Sequence, residues 1–366
     1  DESRSIQNEE IKTKKLIKIT DEPMKTSLKK ILPRKYLIVV ITVFVLLLIL
    51  FYYTFFTSNY YKGNSPVKFE IGRGETLNEI TVNLYDKGII PSKTNFKIAA
   101  FVYGAEKKIR AARYFIPNGL SYLDLLDFLM YGNADFLRKV TIKEGVTIRW
   151  IASKLKNEAS VDSVGFIKLA NDNNIINRFG ITAPSLEGYL LPQEYYIYAN
   201  SSAEEALDSL IKGYKNFIPE IRNRLDSSKF SIHEILTLAS IVEGETNKKE
   251  EMPSIAGVYL NRLKIGMKLQ ADPTVQYLQL NGWKRLFYKD LRIKNPYNTY
   301  LYTGLPPGPI NNPGKDAIFA SLYPENHDYL FFVADGNGGH KFAKNYIQHL
   351  KNVKEYREWL KSQSAN

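Results

Sequence analysis

SIHEILTLASIVEGETNKKEEMPSIAGVYLNRLKIGMKLQADPTVQ, residues 231–276, is the stretch around which the chain is organised. Ser231 and Glu234 stand at the spacing of a capping box, which predicts a helix start there. Ile232, Ile235, Leu236 and Ala239 then recur at helical spacing and define a buried face. Glu243, seven residues after Leu236 and four after Ala239, falls within that apolar stripe. Glu245 projects to nearly the opposite side if the helix continues past Gly244, a weak helix former. A carboxyl on a core-facing stripe at the negative end of a helix is disfavoured in its charged form twice over. Desolvation and the helix dipole both raise its pKa, as a general acid working near neutral pH requires. On spacing alone the plainer reading, a helix-end glutamate in solvent or beside a Lys or Arg, is the commoner one.

With 366 residues the chain has room for two or three domains and a sizeable core. Cysteine is absent, which excludes disulfides, thiol catalysis and cysteine-based zinc sites. The four histidines, His233, His327, His340 and His349, show no metal-ligand spacing, so neither a metal nor another cofactor is expected. The formal charge is +12, and residues 1–35 hold ten Lys/Arg against six Asp/Glu, leaving a surplus of +8 for the rest. Such a surplus suits an acidic polymer or an anionic membrane surface, although a merely solvated basic surface is the commoner case. Nucleic acid is the rival partner, but no nucleic-acid module is visible and none is expected to bind.

Residues 1–35 are polar, lysine-rich and free of aromatics, and read as a flexible tail. Residues 36–56, YLIVVITVFVLLLILFYYTFF, carry no charge over 21 positions, enough for a helix to cross the roughly 30 Å hydrocarbon core of a bilayer. The stretch is too long for a signal-peptide core and has no small-residue cleavage site, so it reads as a retained single-pass anchor spanning about residues 36–57. Lys29, Lys30, Arg34 and Lys35 on its N-terminal side place the N-terminus in the cytoplasm and the bulk of the chain outside. The protein is thus expected in the cytoplasmic membrane.

Beyond a short linker, five identities recur at an offset of 71. Ile71, Gly74, Thr76, Ile80 and Leu84 match Ile142, Gly145, Thr147, Ile151 and Leu155. Each copy reads as a strand, a turn at the glycine, an N-cap threonine and an amphipathic helix. The first copy, EIGRGETLNEITVNLYDKGII, resembles a LysM module, a βααβ fold that binds N-acetylglucosamine-containing glycans; glycan binding and scaffolding stand level for it. Between the copies, residues 110–116 alternate like a strand and residues 120–131 repeat at helical spacing. A helix is expected over residues 203–217, ended by Pro219. Others are expected over residues 252–263 and 345–360. The stretch LFFVADGNGGHKF reads as a hairpin. Asp272 is either an N-cap or a catalytic group. The expected class is α+β: one transmembrane helix, a LysM-like subdomain over residues 66–137 and a mixed catalytic domain over residues 138–361.

Four blocks carry a resemblance: LASIVEGET, AGVYLNRLKIGMKLQADPTVQY, YNTYLYTGLPPGPINNPG and FFVADGNGGHKF. In this order they are similar to the endolytic murein transglycosylases of the YceG-like family, and the likeness runs from about Ile71 to the last helix. The resemblance implies a lyase that cleaves the β-1,4 bond between N-acetylmuramic acid and N-acetylglucosamine in nascent peptidoglycan without water. Its products end in a 1,6-anhydro ring, and its partners would be glycan strands and peptidoglycan synthases of elongation or division. Glu243 is carried over as the acid and then the base, with Glu245 orienting the site or, in the alternative, serving as the catalyst. Glu187, Tyr189, Asn261, Gln270, Asp272 and Asn298 are expected to bind substrate or support the site. The family usually has an acidic residue where Gln193 stands here, so no charged role is expected at that position. Two other functions compete: a hydrolytic muramidase, with Asp272 or Glu187 as second carboxylate, and a membrane-tethered, noncatalytic peptidoglycan binder.

Overall fold

The computed structural model describes residues 34–279 and 285–364. The expected tail therefore lies outside the described residues up to residue 33. Helix α1, Arg34–Phe56, contains the charge-free stretch Tyr36–Phe56, which is long and apolar enough to cross a membrane. From Tyr36 its side chains are exposed until the last turn, where Phe55 is buried and its ring lies 6.3 Å from that of Tyr122. A bare apolar surface of this length needs a nonaqueous neighbour, so a soluble-core helix is the wrong description.

The described chain separates into two compact units. One comprises residues 34–67, 76–109 and 116–132; the other comprises residues 68–75, 110–115 and everything from residue 133 onward. The smaller unit holds α1, α2 (Leu77–Asp86), α3 (Lys93–Tyr103) and α4 (Tyr122–Tyr131). Thr76 and Ser121 each close a capping box, with Glu79 and Asp124, and Ser92 caps α3. Ile80, Leu84, Phe96, Ala99, Leu125 and Leu129 are the apolar positions that these starts leave facing inward. Strands β1 (Val67–Glu70) and β2 (Arg113–Ile116) pair with one another, so the chain order is β-α-α-β.

In the larger unit, β3 (Leu137–Thr141) pairs antiparallel with β4 (Glu194–Tyr198), with Lys139 opposite Tyr196. Helices α5 (Ile148–Ala159), α6 (Ser163–Ala170) and α7 (Asn173–Arg178) lie between these strands in sequence. The repeat at offset 71 has the same five roles in both copies. Gly74 and Gly145 adopt φ of 82° and 72°, a left-handed turn that suits glycine. Thr76 and Thr147 cap the helices that follow, and the paired isoleucines and leucines are buried.

Helix α8 spans Ala203–Asp226 and runs through Pro219, where a break was expected. An interior proline removes one backbone hydrogen bond and costs about 3 kcal/mol. Leu210, Ile211, Tyr214, Phe217 and Ile221 continue one buried stripe past it, and each such side chain contributes about 1.5–3 kcal/mol when fully buried. The stripe outweighs the proline.

Helix α9, Ile232–Glu245, is the hub, packing against α10 (Met252–Lys264), α11 (Asp272–Gln276) and α12 (Lys315–Leu322). Its start is the capping box anticipated at Ser231 and Glu234. Every residue from Ile235 to Val242 is buried, Thr237 and Ser240 included, so the helix has no solvent face over these turns. The chain closes with the hairpin β5 (Phe331–Ala334) and β6 (His340–Ala343), then α13, Tyr346–Ser364.

Candidate active site

Helix α9 does not stop at Gly244 but continues to Glu245, and Thr246 leaves it in extended conformation. Its two terminal glutamates enter different surroundings. Glu245 accepts a hydrogen bond of 2.5 Å on Oε1 from the hydroxyl of Tyr259, a buried residue of α10. It lines a cavity of about 300 Å³ together with Tyr259, Arg262, Gln270, Asp272 and Tyr300. Burial raises the Glu245 pKa to about 7, the Tyr259 hydrogen bond pulls it down, and the Asp272 charge pushes it up again. Tyr259 has its own pKa raised, by burial first and then by the Glu245 charge, so it stays a donor.

Glu243 meets a different set of groups. Its Oε2 accepts from the backbone N–H of Gly314, at 2.9 Å, just before α12. Desolvation raises its pKa to about 6, with Glu144 and Asp316 adding to the rise and the Gly314 bond and Lys249 opposing it. Gly145 and Gly314 are close: a Cβ on Gly145 would lie 3.5 Å from Glu243 Cγ, and one on Gly314 only 2.4 Å from Glu144 Oε1. Glu243 lines neither the Glu245 cavity nor the larger one described below. The apolar stripe cannot select between the two glutamates, because the helix leading to them is buried on all sides.

Asp272 is the first residue of α11, which Ala271 precedes at the N-cap, and its side chain makes no cap bond. Its Oδ1 instead accepts from the Tyr300 hydroxyl at 2.6 Å. Gln270 sits beside it with a left-handed φ of 49°, its N–H held by the Thr299 carbonyl. Thr299 also accepts from Ala271 N–H and pairs with the Thr274 hydroxyl at 2.9 Å, which fixes the 270–274 turn. Arg262 is buried, donates to the Leu330 and Leu269 carbonyls, and so joins α10 to the hairpin wall.

Residues 69–355 match the YceG-like family model. The chain belongs to the YceG-like family. It is 32% identical over 305 residues to a Bacillus subtilis (strain 168) protein named endolytic murein transglycosylase, covering 79% of this chain and 84% of that one. A protein of the same name from Streptococcus pneumoniae serotype 2 (strain D39) is 29% identical over 317 residues; the match covers 78% of this chain and 57% of that longer one. A crystal structure at 2.6 Å of a YceG-like protein from Listeria monocytogenes superposes with a TM-score of 0.54 at 31% identity, covering 78% of this chain and 98% of that one.

Within this YceG-like fold the expected site residues separate by role. Glu245, Gln270 and Asp272 come together in one cavity. Asn298 is fully buried: its amide nitrogen donates to the Leu291 and Ile293 carbonyls and its oxygen receives the Tyr300 N–H, so it shapes the loop that aims Tyr300. Asn261 donates to the His327 and Tyr329 carbonyls. Tyr189 is buried, and its hydroxyl lies 3.0 Å from His233 Nδ1, whose Nε2 meets the Pro307 carbonyl at 2.9 Å. Since a carbonyl only accepts, Nε2 carries the hydrogen there.

Glu187 lines a second cavity of about 690 Å³, with Gly145, Thr147, Trp150, Gln276, Tyr277 and Tyr297 among its neighbours. Burial pushes its pKa up to about 8, although Oε1 accepts from Ile148 N–H at 2.9 Å and from Asn312 Nδ2 at 2.8 Å. Sequence reasoning did not find Tyr259 and Tyr300. Tyr259 continues the buried face of Ile255 and Ala256 and so reads as core, and Tyr300 reaches Asp272 across 28 residues with no periodicity to announce it.

Proposed function

We propose that this YceG-like protein is a membrane-anchored endolytic lytic transglycosylase that cuts the β-1,4 bond between N-acetylmuramic acid and N-acetylglucosamine in nascent peptidoglycan. The observation that carries the reading is Glu245: a carboxyl desolvated to a pKa of about 7, held on one oxygen by Tyr259, in a polar cavity. Glu245 is taken as the acid ahead of Glu243, because it shares its cavity with Gln270, Asp272 and Tyr300.

Glu245 delivers its proton to the glycosidic oxygen as the bond from C1 to that oxygen breaks. The resulting carboxylate then takes the proton of the muramoyl 6-hydroxyl, and that oxygen closes on C1 as a 1,6-anhydro ring. No water enters, so one carboxyl suffices for both steps, unlike the paired acids of most glycoside hydrolases. Burial first, and the Asp272 charge after it, leave Glu245 partly protonated near neutral pH, and Asp272, held by Tyr300, faces the positive charge that develops on the sugar. The cut would end strand elongation, close to the synthases that extend the strand.

The presence of Asp272 in the same cavity also favours a second reading, a hydrolytic muramidase with two carboxyls. Digestion of uncrosslinked glycan strands, read by mass spectrometry, separates the two. Anhydro ends, lighter by one water, support the transglycosylase; reducing ends turn the assignment to hydrolysis; no new ends leave only a tethered binder. The β-α-α-β order of the first copy supports a LysM-like role in holding the strand, checked by loss of binding to insoluble peptidoglycan on deleting residues 67–104.

A further inference from the structure

The smaller unit has an apolar face that its own core leaves bare. In α3, Phe96, Ala99 and Ala100 are buried and account for one side of the helix. Ile98, Phe101 and Val102 stand at i, i+3 and i+4, the spacing of a single helical face, and are 46%, 71% and 64% exposed. Contiguous exposed apolar side chains of this size mark an interaction surface. We propose that this face rests in the leaflet at the C-terminal end of α1, among acyl chains and anionic headgroups, as a second membrane contact of the same unit.

The way α1 joins the unit sets the height of that face. The apolar stretch Tyr36–Phe56 has 21 residues, and at about 1.5 Å per residue it only just matches the roughly 30 Å hydrocarbon core. No spare length lifts the next segment away from the bilayer. In the last turn Phe55 is buried, 6.3 Å from the Tyr122 ring, which in turn lies 6.2 Å from Phe96 of α3. Both α3 and α4 pack directly on α1.

The connection is also short and bonded. Only Thr57 and Ser58 separate α1 from Asn59, whose N–H donates to the Leu120 carbonyl at 2.9 Å and whose carbonyl accepts from Gly119 N–H at 3.1 Å. The Tyr61 hydroxyl donates to the Ile116 carbonyl at 2.8 Å. With no free tether the unit cannot swing clear of the surface, and the bare face of α3 continues the lipid-facing surface of α1. This placement rests on α1 being the membrane anchor.

The charges beside the face fit the same occupant. Lys107 and Lys108 follow α3 within five residues of Tyr103, are exposed, and form no ion pair among the described residues. Lys62, three residues beyond Asn59, is likewise exposed and unpaired, and Glu106 is the one acidic side chain next to them in sequence. Lysines flanking an exposed apolar helix face are what an anionic bilayer surface attracts, and aromatic side chains such as Phe101 settle at its interface. The contact limits tilting of the unit about the end of α1 and makes it sensitive to anionic lipid.

The test uses the full chain, which has no cysteine, with Val102→Cys or Leu46→Cys carrying a nitrobenzoxadiazole dye, one copy per nanodisc of phosphatidylcholine and phosphatidylglycerol. Blue-shifted emission at Val102→Cys, quenched more by a headgroup nitroxide than by one deep in the acyl chains and little by aqueous iodide, supports the contact. The shift should be lost with Ile98→Ser and Phe101→Ser together, and reduced in discs of phosphatidylcholine alone. Water-like emission at Val102→Cys, with Leu46→Cys quenched from the deep chains, overturns the contact and leaves the anchor standing. Iodide quenching of Leu46→Cys removes the anchor and the contact with it. A shift that survives both serines belongs to the dye, and one seen only when two copies share a disc belongs to a second chain; either overturns the proposal.

Discussion

The Tyr259 hydroxyl donates to Glu245 Oε1 at 2.5 Å, and this one bond ties the last residue of α9 to the middle of α10. It holds the carboxyl still while leaving its second oxygen for another partner. It also works against desolvation, which alone would drive the pKa higher than about 7. The site thus combines a burial that favours the protonated acid with a donor that keeps the carboxylate accessible.

Cleavage should therefore fall as pH rises through about 7, because the acid must be protonated and its pKa lies there. Tyr259→Phe removes the bond that lowers the Glu245 pKa, so the alkaline fall moves to higher pH. Asp272→Asn removes a charge that raises it, so the fall moves to lower pH. Initial rates on uncrosslinked strands across pH read both displacements. A fall that stays put in both variants dissociates the alkaline limb from Glu245.

The two glutamates give opposite expectations. Glu245→Gln preserves size and can still accept the Tyr259 bond, but it cannot transfer a proton. Turnover should drop roughly 10²–10⁴-fold with glycan binding retained. Glu243→Gln can still accept from Gly314 N–H and should keep measurable cleavage. The reverse pattern would return the acid to Glu243.

Much of this was legible in the sequence, for local reasons. The capping box at Ser231, the N-cap threonines, the turn glycines and the repeated isoleucines and leucines depend on neighbours a few residues away, and these expectations match the fold. Pro219 misled because its local penalty is smaller than the packing of a stripe visible only in three dimensions. Glu243 rests on the resemblance of its motif to the family's, and the apolar stripe beside it loses meaning because residues 235–242 of α9 are buried on every side. Asn261 and Asn298 lie in the family's blocks, yet their amides hold backbone carbonyls, a role that no spacing discloses. The contacts of Asp272 with Tyr300 and of Glu187 with Asn312 join distant segments, and they form only after the core has assembled.

Asn312 should prove a structural keystone. It is fully buried, its Oδ1 accepts from Gly188 and Leu190 N–H groups at 2.9 Å each, and its Nδ2 donates to the Val146 carbonyl and Glu187. Asn312→Ala leaves several of these groups unmet, each at about 1–3 kcal/mol. The expected loss is at least about 2 kcal/mol, seen as a lower unfolding midpoint by calorimetry in detergent. A loss below about 0.5 kcal/mol, the range of ordinary surface changes, would mean that these bonds relax without cost.

The orientation of α1 is open to a direct test because the chain has no cysteine. Any cysteine introduced is therefore a unique reporter. Val164 is 75% exposed in the larger unit, so Val164→Cys offers a thiol at little structural risk. Lys29, Lys30, Arg34 and Lys35 precede the apolar stretch, and positive residues stay on the cytoplasmic side, which leaves Val164 outside. A membrane-impermeant maleimide added to intact, wall-stripped cells should label Val164→Cys as fully as it does after lysis. The counterpart Ser5→Cys, before the anchor, should react only after lysis. Labelling of Ser5→Cys alone in intact cells would invert the topology and separate the proposed active site from peptidoglycan altogether.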